Sequence, residues 1–344
     1  MAPLVWAFMM TSLATSTIVT LSSHHWLLAW LGLELNTLSM LPIIMKPSHP
    51  RATEAATKYF LIQAAAAALI MFSSILNAWQ TGQWTITNML PIPTMIMTLP
   101  FSMKLGIAPM HFWYPEVLQG STMKTALIIS TWQKIAPLSL LYLTMMNNPP
   151  QMILLTGFCA TVIAGVAGLN VTQTRKIMAF SSIGHMGWLI MSIPLNLSLT
   201  TLALILYTIT TTAMFLTLSS INASTLKDLS QTNLHAPAFM TLMMLTLMSL
   251  GGLPPLTGFM IKLLILKALT SAKLALLALF TALSSLPSLF FYLRMNYITS
   301  LTSPPKTITS KLKWRFKPNF KAIITPLIML SIILLPLTPL LQMM

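Results

Sequence analysis

Long apolar stretches follow one another from end to end of this chain, separated by short polar segments. We predict eleven of them, each close to the length of about 20 residues that a helix needs to cross a hydrocarbon core of about 30 Å. They cover residues 3–21, 26–45, 54–79, 91–108, 123–146, 151–171, 175–194, 198–222, 237–269, 273–298 and 322–342. Backbone groups in lipid must be satisfied within their own segment, and the apolar alternation of transmembrane strands is absent. The pattern therefore predicts an all-α polytopic integral membrane protein.

The basic residues between the predicted spans lie almost entirely on one side of the membrane. Fourteen share the side of the N-terminus: Lys46, Arg51, Lys58, Lys124, Arg175, Lys176, Lys227, Arg294, Lys306, Lys311, Lys313, Arg315, Lys317 and Lys321. Two, Lys267 and Lys273, lie on the other side. A wrong number of spans would scramble this asymmetry, and the positive-inside rule places the N-terminus inside and the C-terminus outside. The basic stretch 306–321 either anchors that topology or binds anionic lipid head groups.

Composition excludes several classes of protein. Only 7% of the 344 residues are charged, against about 25% in a soluble domain. The net charge of +15 could indicate nucleic-acid binding, but membrane topology explains its one-sided distribution. Cys159 is the single cysteine, which excludes an internal disulfide and a cysteine-ligated metal or iron–sulfur centre. GxGxxG, P-loop and CxxCH patterns are absent, so no site for nicotinamide, flavin, nucleotide or covalent haem is recognisable.

Two of the predicted spans carry the same helix-breaking pattern. The fourth ends in Gly106 and Pro109, and the ninth contains Gly252, Pro254 and Pro255. Proline disrupts a helix, and broken helices at matching places in two halves are typical of transporters built from inverted repeats. Because the two spans lie five apart, we predict two five-helix repeats of opposite orientation and one further C-terminal helix. The predicted domains are residues 1–149, 150–298 and 299–344. A coincidental match is the alternative.

Four charged residues remain inside predicted spans once the loop residues are assigned. Glu34 and Lys134 lie near the middle of the second and fifth spans, whereas Lys104 and Lys262 lie in the two broken helices. A charge at the bilayer centre costs roughly 3 kcal/mol, so these groups need partners, internal water or a change of protonation state. Their spread over four spans favours a route for ions or protons. The alternative is a set of static ion pairs that orient the helices.

Three weaker candidates could relay protons between those charges. His185 lies in the middle of the seventh span, and Tyr207 and Thr208 lie in the eighth. A hydrogen-bonded structural histidine is as consistent with the sequence as a relay, and threonine commonly bonds to its own helix. At a helix start, Glu54 and Lys58 have the i,i+4 spacing of an ordinary ion pair.

Six stretches of the chain are together highly specific for one family. They run from His25 to Asn36, Pro50 to Phe60, Met103 to Val117, Thr131 to Lys134, Ser181 to Trp188 and Gly251 to Phe259. On these residues the chain resembles, over essentially its whole length, the chain 2 family of NADH–ubiquinone oxidoreductase (respiratory complex I) from animal mitochondria. Its abundant methionine and scarce cysteine resemble proteins made from an animal mitochondrial genome.

The resemblance implies an antiporter-like, proton-translocating core subunit in the membrane arm of that enzyme. Glu34 and Lys104 would form the family's coupled acid–lysine pair. Lys134 matches the lysine that links the halves, Lys262 the exit-side lysine of the second broken helix, and His185 a histidine on the hydrophilic axis between them. Protonation changes of the four charged groups would move protons through internal water, driven by quinone reduction in other subunits.

The resemblance also implies partners and a location. FMN, iron–sulfur clusters, NADH and ubiquinone would be bound by other subunits, so this chain would carry no cofactor or metal. Its partners would be membrane-arm subunits including chains 4 and 4L, accessory subunits and lipids such as cardiolipin, and not nucleic acid. It would lie in the mitochondrial inner membrane, with its N-terminus in the matrix and its C-terminus in the intermembrane space.

Full-length members of the wider antiporter family have three further N-terminal spans, so a neighbouring subunit or lipid would cover the vacated surface. Two alternatives of other classes are a free-standing sodium–proton antiporter and a structural membrane subunit that does not pump.

Overall fold

The computed structural model describes residues 3–144, 150–232, 237–301, 324–334 and 336. Regular structure in this part of the chain is helical, and extended backbone pairs only in two isolated bridges, His25–Thr85 and Gln173–Thr225. The chain divides into two compact units, Met1–Ala160 and Thr161–Met344.

The first unit is built mainly from apolar helices. Its elements are α1 (Pro3–Ser22), α2 (Trp26–Ile44), α3 (Pro50–Thr81), α4 (Pro91–Leu105), α5 (Trp113–Gly120), α6 (Met123–Ser130), a 3₁₀ turn (Trp132–Lys134), α7 (Ile135–Leu143) and the start of α8 (Pro150–Gly168). Histidines cap two of the helices: the Nδ1 atoms of His25 and His49 accept hydrogen bonds from Leu27 N and Arg51 N, each at 3.2 Å. These side chains satisfy backbone donors that a helix leaves free at its start.

The second unit continues α8 and contains seven further helices among the described residues. They are α9 (Thr174–Ser192), α10 (Leu197–Ile221), α11 (Leu226–Thr232), α12 (Pro237–Gly251), α13 (Thr257–Ser271), α14 (Ala275–Leu301) and α15 (Ile324–Ile333). A buried cluster of Ala213, Phe239, Ile324 and Ile328 joins α10, α12 and α15.

Seven segments of the described chain are long and apolar enough to cross a membrane. They are α1, α2, α3, Met123–Leu143, α8, α10 and α14. The all-helical membrane class is therefore confirmed, whereas the count of eleven spans and the two repeats stay predictions. The basic stretch 306–321 lies outside the described residues, as do residues 322, 323, 335 and 337–342 of the predicted span 322–342.

The first break ends α4 at Leu105 in a Schellman geometry. Gly106 adopts φ +68°, which glycine tolerates because it has no Cβ. Its N–H donates to Met103 O at 3.2 Å, and Ile107 N–H donates to Ser102 O at 2.9 Å. These two bonds satisfy carbonyls that the helix end would otherwise leave without a donor.

The second break repeats this geometry at the end of α12. Gly252 has φ +79°, its N–H donates to Ser249 O at 3.1 Å, and Leu253 N–H donates to Met248 O at 3.3 Å. The prolines follow in both loops: Pro109 on the way to α5, and Pro254 and Pro255 on the way to α13. Since proline cannot continue a helix, each loop leaves the direction of the helix before it.

The predicted fifth span is not one continuous helix. It is interrupted at Thr131, and the 3₁₀ turn that carries Lys134 separates α6 from α7. Pro137 provides the physical reason, because it has no N–H to offer to Gln133 O and its ring crowds that carbonyl. A regular α-helix is therefore disfavoured in the turn that carries Lys134.

Helix α5 was not predicted, and it changes the partner of Lys58. Lys58 Nζ lies 2.6 Å from Glu116 Oε2 on α5, so its contact ion pair is with Glu116, and the predicted partner Glu54 acts on it only as a weaker nearby charge. Gly120 makes this possible, since a Cβ there would lie 2.6 Å from Arg51 O on α3. The close approach of α5 to α3 carries Glu116 to Lys58. Both side chains are half-exposed, so we expect little net stabilisation from this pair.

The short helix α11 begins with a reciprocal cap. Asp228 Oδ2 accepts hydrogen bonds from Ser224 N at 3.0 Å and Thr225 N at 2.8 Å, while Thr225 Oγ1 accepts from Asp228 N at 3.4 Å. Partial burial opposes ionisation, but hydrogen bonds from Ser224 and Thr225 outweigh it and lower the pKa of Asp228 from its ordinary value of 3.8.

Asp228→Asn should lower the stability of the protein only at pH values at which the Asp228 carboxyl is ionised. Because the pKa is lower in the folded state, the stabilisation is present above the unfolded pKa of about 4 and is lost as pH falls through the folded value. Thermal unfolding of the purified protein from neutral pH downwards measures this, and we expect a deficit of at most about 1 kcal/mol that vanishes in acid. A deficit independent of pH would contradict the expectation.

Gly258→Ala should disrupt the second break. A Cβ at Gly258 would overlap the carbonyl of Ser249, and backbone cannot move aside as a flexible side chain does. We expect a loss of about 3 kcal/mol or more in the free energy of unfolding, measured as a lower melting temperature. Gly184→Ala is the matched control, because its Cβ would lie 3.4 Å from Ala164 Cβ, an ordinary contact. Equal melting temperatures for the two variants would refute the overlap.

Candidate functional site

In the first unit, two lysines meet at a small internal cavity. Lys104 lies on α4 just before the break, and Lys134 lies on the 3₁₀ turn. Both are buried, and both line a cavity of about 10 Å³, which approaches the size needed for one water molecule. Its other lining residues include Asn36, Thr37, Tyr59, Gln63, Tyr114 and Gln133.

Lys104 is the most exceptional group of this cluster. Its side chain is 7% exposed, and its Nζ atom has no hydrogen-bond partner in the described part of the chain. Glu34 is the acid that acts on it electrostatically, but the two do not form an ion pair. Glu34 instead accepts a hydrogen bond from Thr37 Oγ1 at 3.2 Å, and Thr37 lines the cavity. The predicted acid and lysine are thus neighbours that do not touch.

The first break also shapes the surroundings of Lys134. Tyr114 packs over Gly106, where a Cβ would come within 3.0 Å of the Tyr114 ring. The Tyr114 ring also contacts Lys134, whose Nζ lies 4.9 Å from the ring centroid, a cation–π distance. The missing Cβ at Gly106 therefore lets an aromatic ring stabilise a buried ammonium group.

A buried amide pair holds the 3₁₀ turn to α2. Gln133 Nε2 donates to Asn36 Oδ1 at 2.9 Å, and both side chains are at most 9% exposed. Because Gln133 directly precedes Lys134, this bond fixes the position of the lysine. Asn36 lies two residues after Glu34 on α2. The same bond therefore links the helix that carries the acid to the turn that carries the lysine.

In the second unit, Lys262 binds the backbone of the second break. It lies on α13, and its Nζ donates to Gly251 O at 2.8 Å. A Cβ at Gly252 would lie 3.0 Å from that Nζ and 3.1 Å from Cδ and Cε. The break thus supplies both a carbonyl acceptor and the space in which the lysine reaches it.

A second cavity, of about 20 Å³, connects Lys262 to a histidine and a tyrosine. Lys262, His185 and Tyr292 all line it, together with Thr161, Ser181, Ser284, Ser285 and Ser288. Tyr292 Oη lies 3.4 Å from His185 Nε2, within hydrogen-bond range. The volume and the hydroxyl lining suit a water molecule. His185 and Lys262 therefore line the same chamber.

The two remaining relay candidates differ in their surroundings. Tyr207 is buried, and its ring centroid lies 6.0 Å from that of His185. The Thr208 hydroxyl donates to Ile205 O at 2.8 Å on its own helix, and it lines neither cavity.

Sequence reasoning missed Tyr114, Tyr292 and the Asn36–Gln133 pair. Polar residues four apart, such as Tyr292 and Asn296 in an apolar span, were a usable signal for a polar face on α14.

Comparison with known proteins identifies the family and the fold of the chain. The family described as NADH:quinone oxidoreductase/Mrp antiporter, transmembrane, matches residues 23–287, and the family of the NADH dehydrogenase subunit 2 C-terminus matches residues 289–342. A chain of respiratory complex I from Thermus thermophilus superposes with a TM-score of 0.87 at 23% identity, over 99% of this chain and 80% of that one. A chain of the Mrp complex from Dietzia sp. gives 0.82 at 15% identity, over 96% and 74%. Fold and site thus define an antiporter-type membrane subunit.

Curated relatives specify the family further. NADH-ubiquinone oxidoreductase chain 2 of Xenopus laevis is 48% identical over 344 residues and 99% of both chains. The same protein of Polypterus ornatipinnis is 47% identical over 339 residues and 98% of both chains. The chain belongs to the NADH-ubiquinone oxidoreductase chain 2 family.

Removing one member of the Asn36–Gln133 pair should cost more than removing both. Asn36→Leu leaves the Gln133 amide buried without its acceptor, at a cost of roughly 1–3 kcal/mol, and Gln133→Leu has the converse effect. The double variant leaves neither group unpaired, so it should be more stable than the sum of the single losses. A double-mutant cycle on thermal stability measures this coupling. Strictly additive losses would show that the amides stabilise the fold independently.

Proposed function

We infer that this chain is a core membrane subunit of the proton-pumping NADH:ubiquinone oxidoreductase of the mitochondrial inner membrane. Membership of the chain 2 family over nearly the full length supports this, with identities of 47–49% to vertebrate relatives. The chain contributes proton translocation to the enzyme complex.

Glu34, Lys104, Lys134 and Lys262 carry the protons in this proposal. The observation that supports it best is the Lys104 ammonium, which is buried without a hydrogen-bond partner among the described residues and borders a cavity. A static structural lysine would need a permanent partner, because an isolated charge in the membrane costs roughly 3 kcal/mol. Water in the cavity would supply a temporary partner and a path for the proton.

Lys262 would work differently from Lys104. Its Nζ atom donates a hydrogen bond to Gly251 O. Loss of a proton to water in the chamber would weaken that bond. His185 would then relay protons within the same chamber, while Tyr207 packs beside it and Thr208 stays a weaker candidate.

The finer topology belongs to the same proposal. The shared Schellman geometry at Gly106 and Gly252 supports two inverted five-helix repeats, residues 1–149 and 150–298, followed by residues 299–344. Eleven spans would then place the N-terminus in the matrix and the C-terminus in the intermembrane space.

The proposed partners are other membrane-arm subunits, with chains 4 and 4L as neighbours, accessory subunits and lipids such as cardiolipin. FMN, iron–sulfur clusters, NADH and ubiquinone would be bound elsewhere in the complex, so the electrons would not pass through this chain.

Replacing Lys104 or Lys262 with Met tests the proposal. Methionine keeps most of the side-chain volume and removes the proton carrier, so each variant should lower the number of protons pumped per NADH oxidised in the assembled complex. Lys267→Met is the matched control, since Lys267 is an exposed lysine on the same helix as Lys262. Normal stoichiometry in both test variants would refute the role of the lysines.

The same variants separate the two alternatives. A structural subunit predicts less assembled complex but unchanged pumping by the complex that does assemble. A free-standing antiporter predicts sodium–proton exchange in liposomes that contain this chain alone, without NADH.

A further inference from the structure

Helix α14 carries a buried amide without a hydrogen-bond partner. Asn296 is 3% exposed, and neither its Nδ2 nor its Oδ1 atom has a partner among the residues that the structure describes. A carboxamide offers two donors and one acceptor, and leaving it unpaired away from water costs roughly 1–3 kcal/mol. Asn77 shows the ordinary situation, because its buried amide bonds to Asn88 O at 3.0 Å and to Leu90 N at 3.1 Å.

Asn296 lies one helical turn beyond Tyr292 on the buried face of α14. Tyr292, Asn296 and Thr299 are all buried, at the i, i+4 and i+7 spacing of a single face. Tyr292 reaches His185 and lines the chamber of Lys262. Polar side chains therefore continue from that chamber towards the C-terminal end of α14.

We propose that Asn296 holds one or more buried water molecules that deliver protons to Tyr292 and His185. The inference rests on the proposed function, in which the C-terminal end of α14 faces the matrix. The amide itself does not titrate, so Asn296 is a positioning residue for water. Tyr292 would pass its hydroxyl proton to His185 Nε2 and accept another from the water, which would itself take a proton from the matrix side, so that the tyrosine and the water are both neutral after each transfer.

Substitution of Asn296 by a residue of similar volume tests this in the assembled complex. Asn296→Leu removes the polar atoms, and we expect fewer protons pumped per NADH oxidised, with a larger loss when the matrix-side pH is raised and protons are scarce. Tyr292→Phe should give the same pH-dependent loss. Asn296→Ser leaves room for water and keeps a hydroxyl, so it should restore much of the pumping. Tyr297→Phe is the control, because Tyr297 is 61% exposed on the same helix.

Stability provides a second, independent readout. Since the amide has no protein partner to lose among the described residues, Asn296→Leu should leave the amount and the melting temperature of the assembled complex unchanged or higher. Asn77→Leu should lower both, because it breaks two hydrogen bonds. A high-resolution map should show water about 3 Å from the Asn296 amide.

Two results would overturn this inference and leave the proposed function intact. One is normal pumping by Asn296→Leu at every pH while Lys262→Met pumps less; the other is a map in which a protein or lipid group occupies the amide. Normal pumping by both Lys104→Met and Lys262→Met overturns the proposed function, and the inference with it.

Discussion

Three lysine ammonium groups inside an apolar fold need polar partners that lipid cannot supply. In an intact helix every interior carbonyl already accepts a backbone hydrogen bond, whereas the carbonyls at a helix end have no such donor and are the more available acceptors for a buried lysine. Ending α12 at Gly251 releases such a carbonyl, and Lys262 takes it at 2.8 Å. At the other break, the missing Cβ of Gly106 lets Tyr114 approach, and its ring faces Lys134. The helix breaks therefore supply a carbonyl acceptor to Lys262 and room for the aromatic ring beside Lys134.

The sequence predicts the breaks and the buried charges well, because each depends on the identity of a few local residues. Gly106 and Gly252 are the residues that tolerate positive φ, and hydropathy alone leaves Glu34 and the lysines inside apolar spans. The 3₁₀ turn before Pro137 depends on equally few local residues. It was not predicted, because the hydropathy of the apolar run around it indicates one continuous span.

Partners across the fold could not be predicted in the same way. Lys58 bonds to a residue 58 positions away, and Tyr292 meets His185 across 107 positions, so no i,i+4 rule reaches either contact. Both depend on how closely helices approach, which Gly120 decides for α3 and α5. Packing of this kind is encoded by many residues at once, whereas a break or a cap is encoded by one or two.

The lysines differ in the interaction that each must break to exchange a proton. Lys262 must weaken a short bond to Gly251 O, whereas Lys104 has no hydrogen bond to lose within the described residues. Lys134 is bound by the face of an aromatic ring, which attracts a cation but accepts no proton. For Lys104, water in the cavity would be the acceptor, and the cavity volume of about 10 Å³ limits how much water can reach it. In the proposed mechanism, small motions of the turn that carries Lys134 would change how far water in this cavity connects the two lysines.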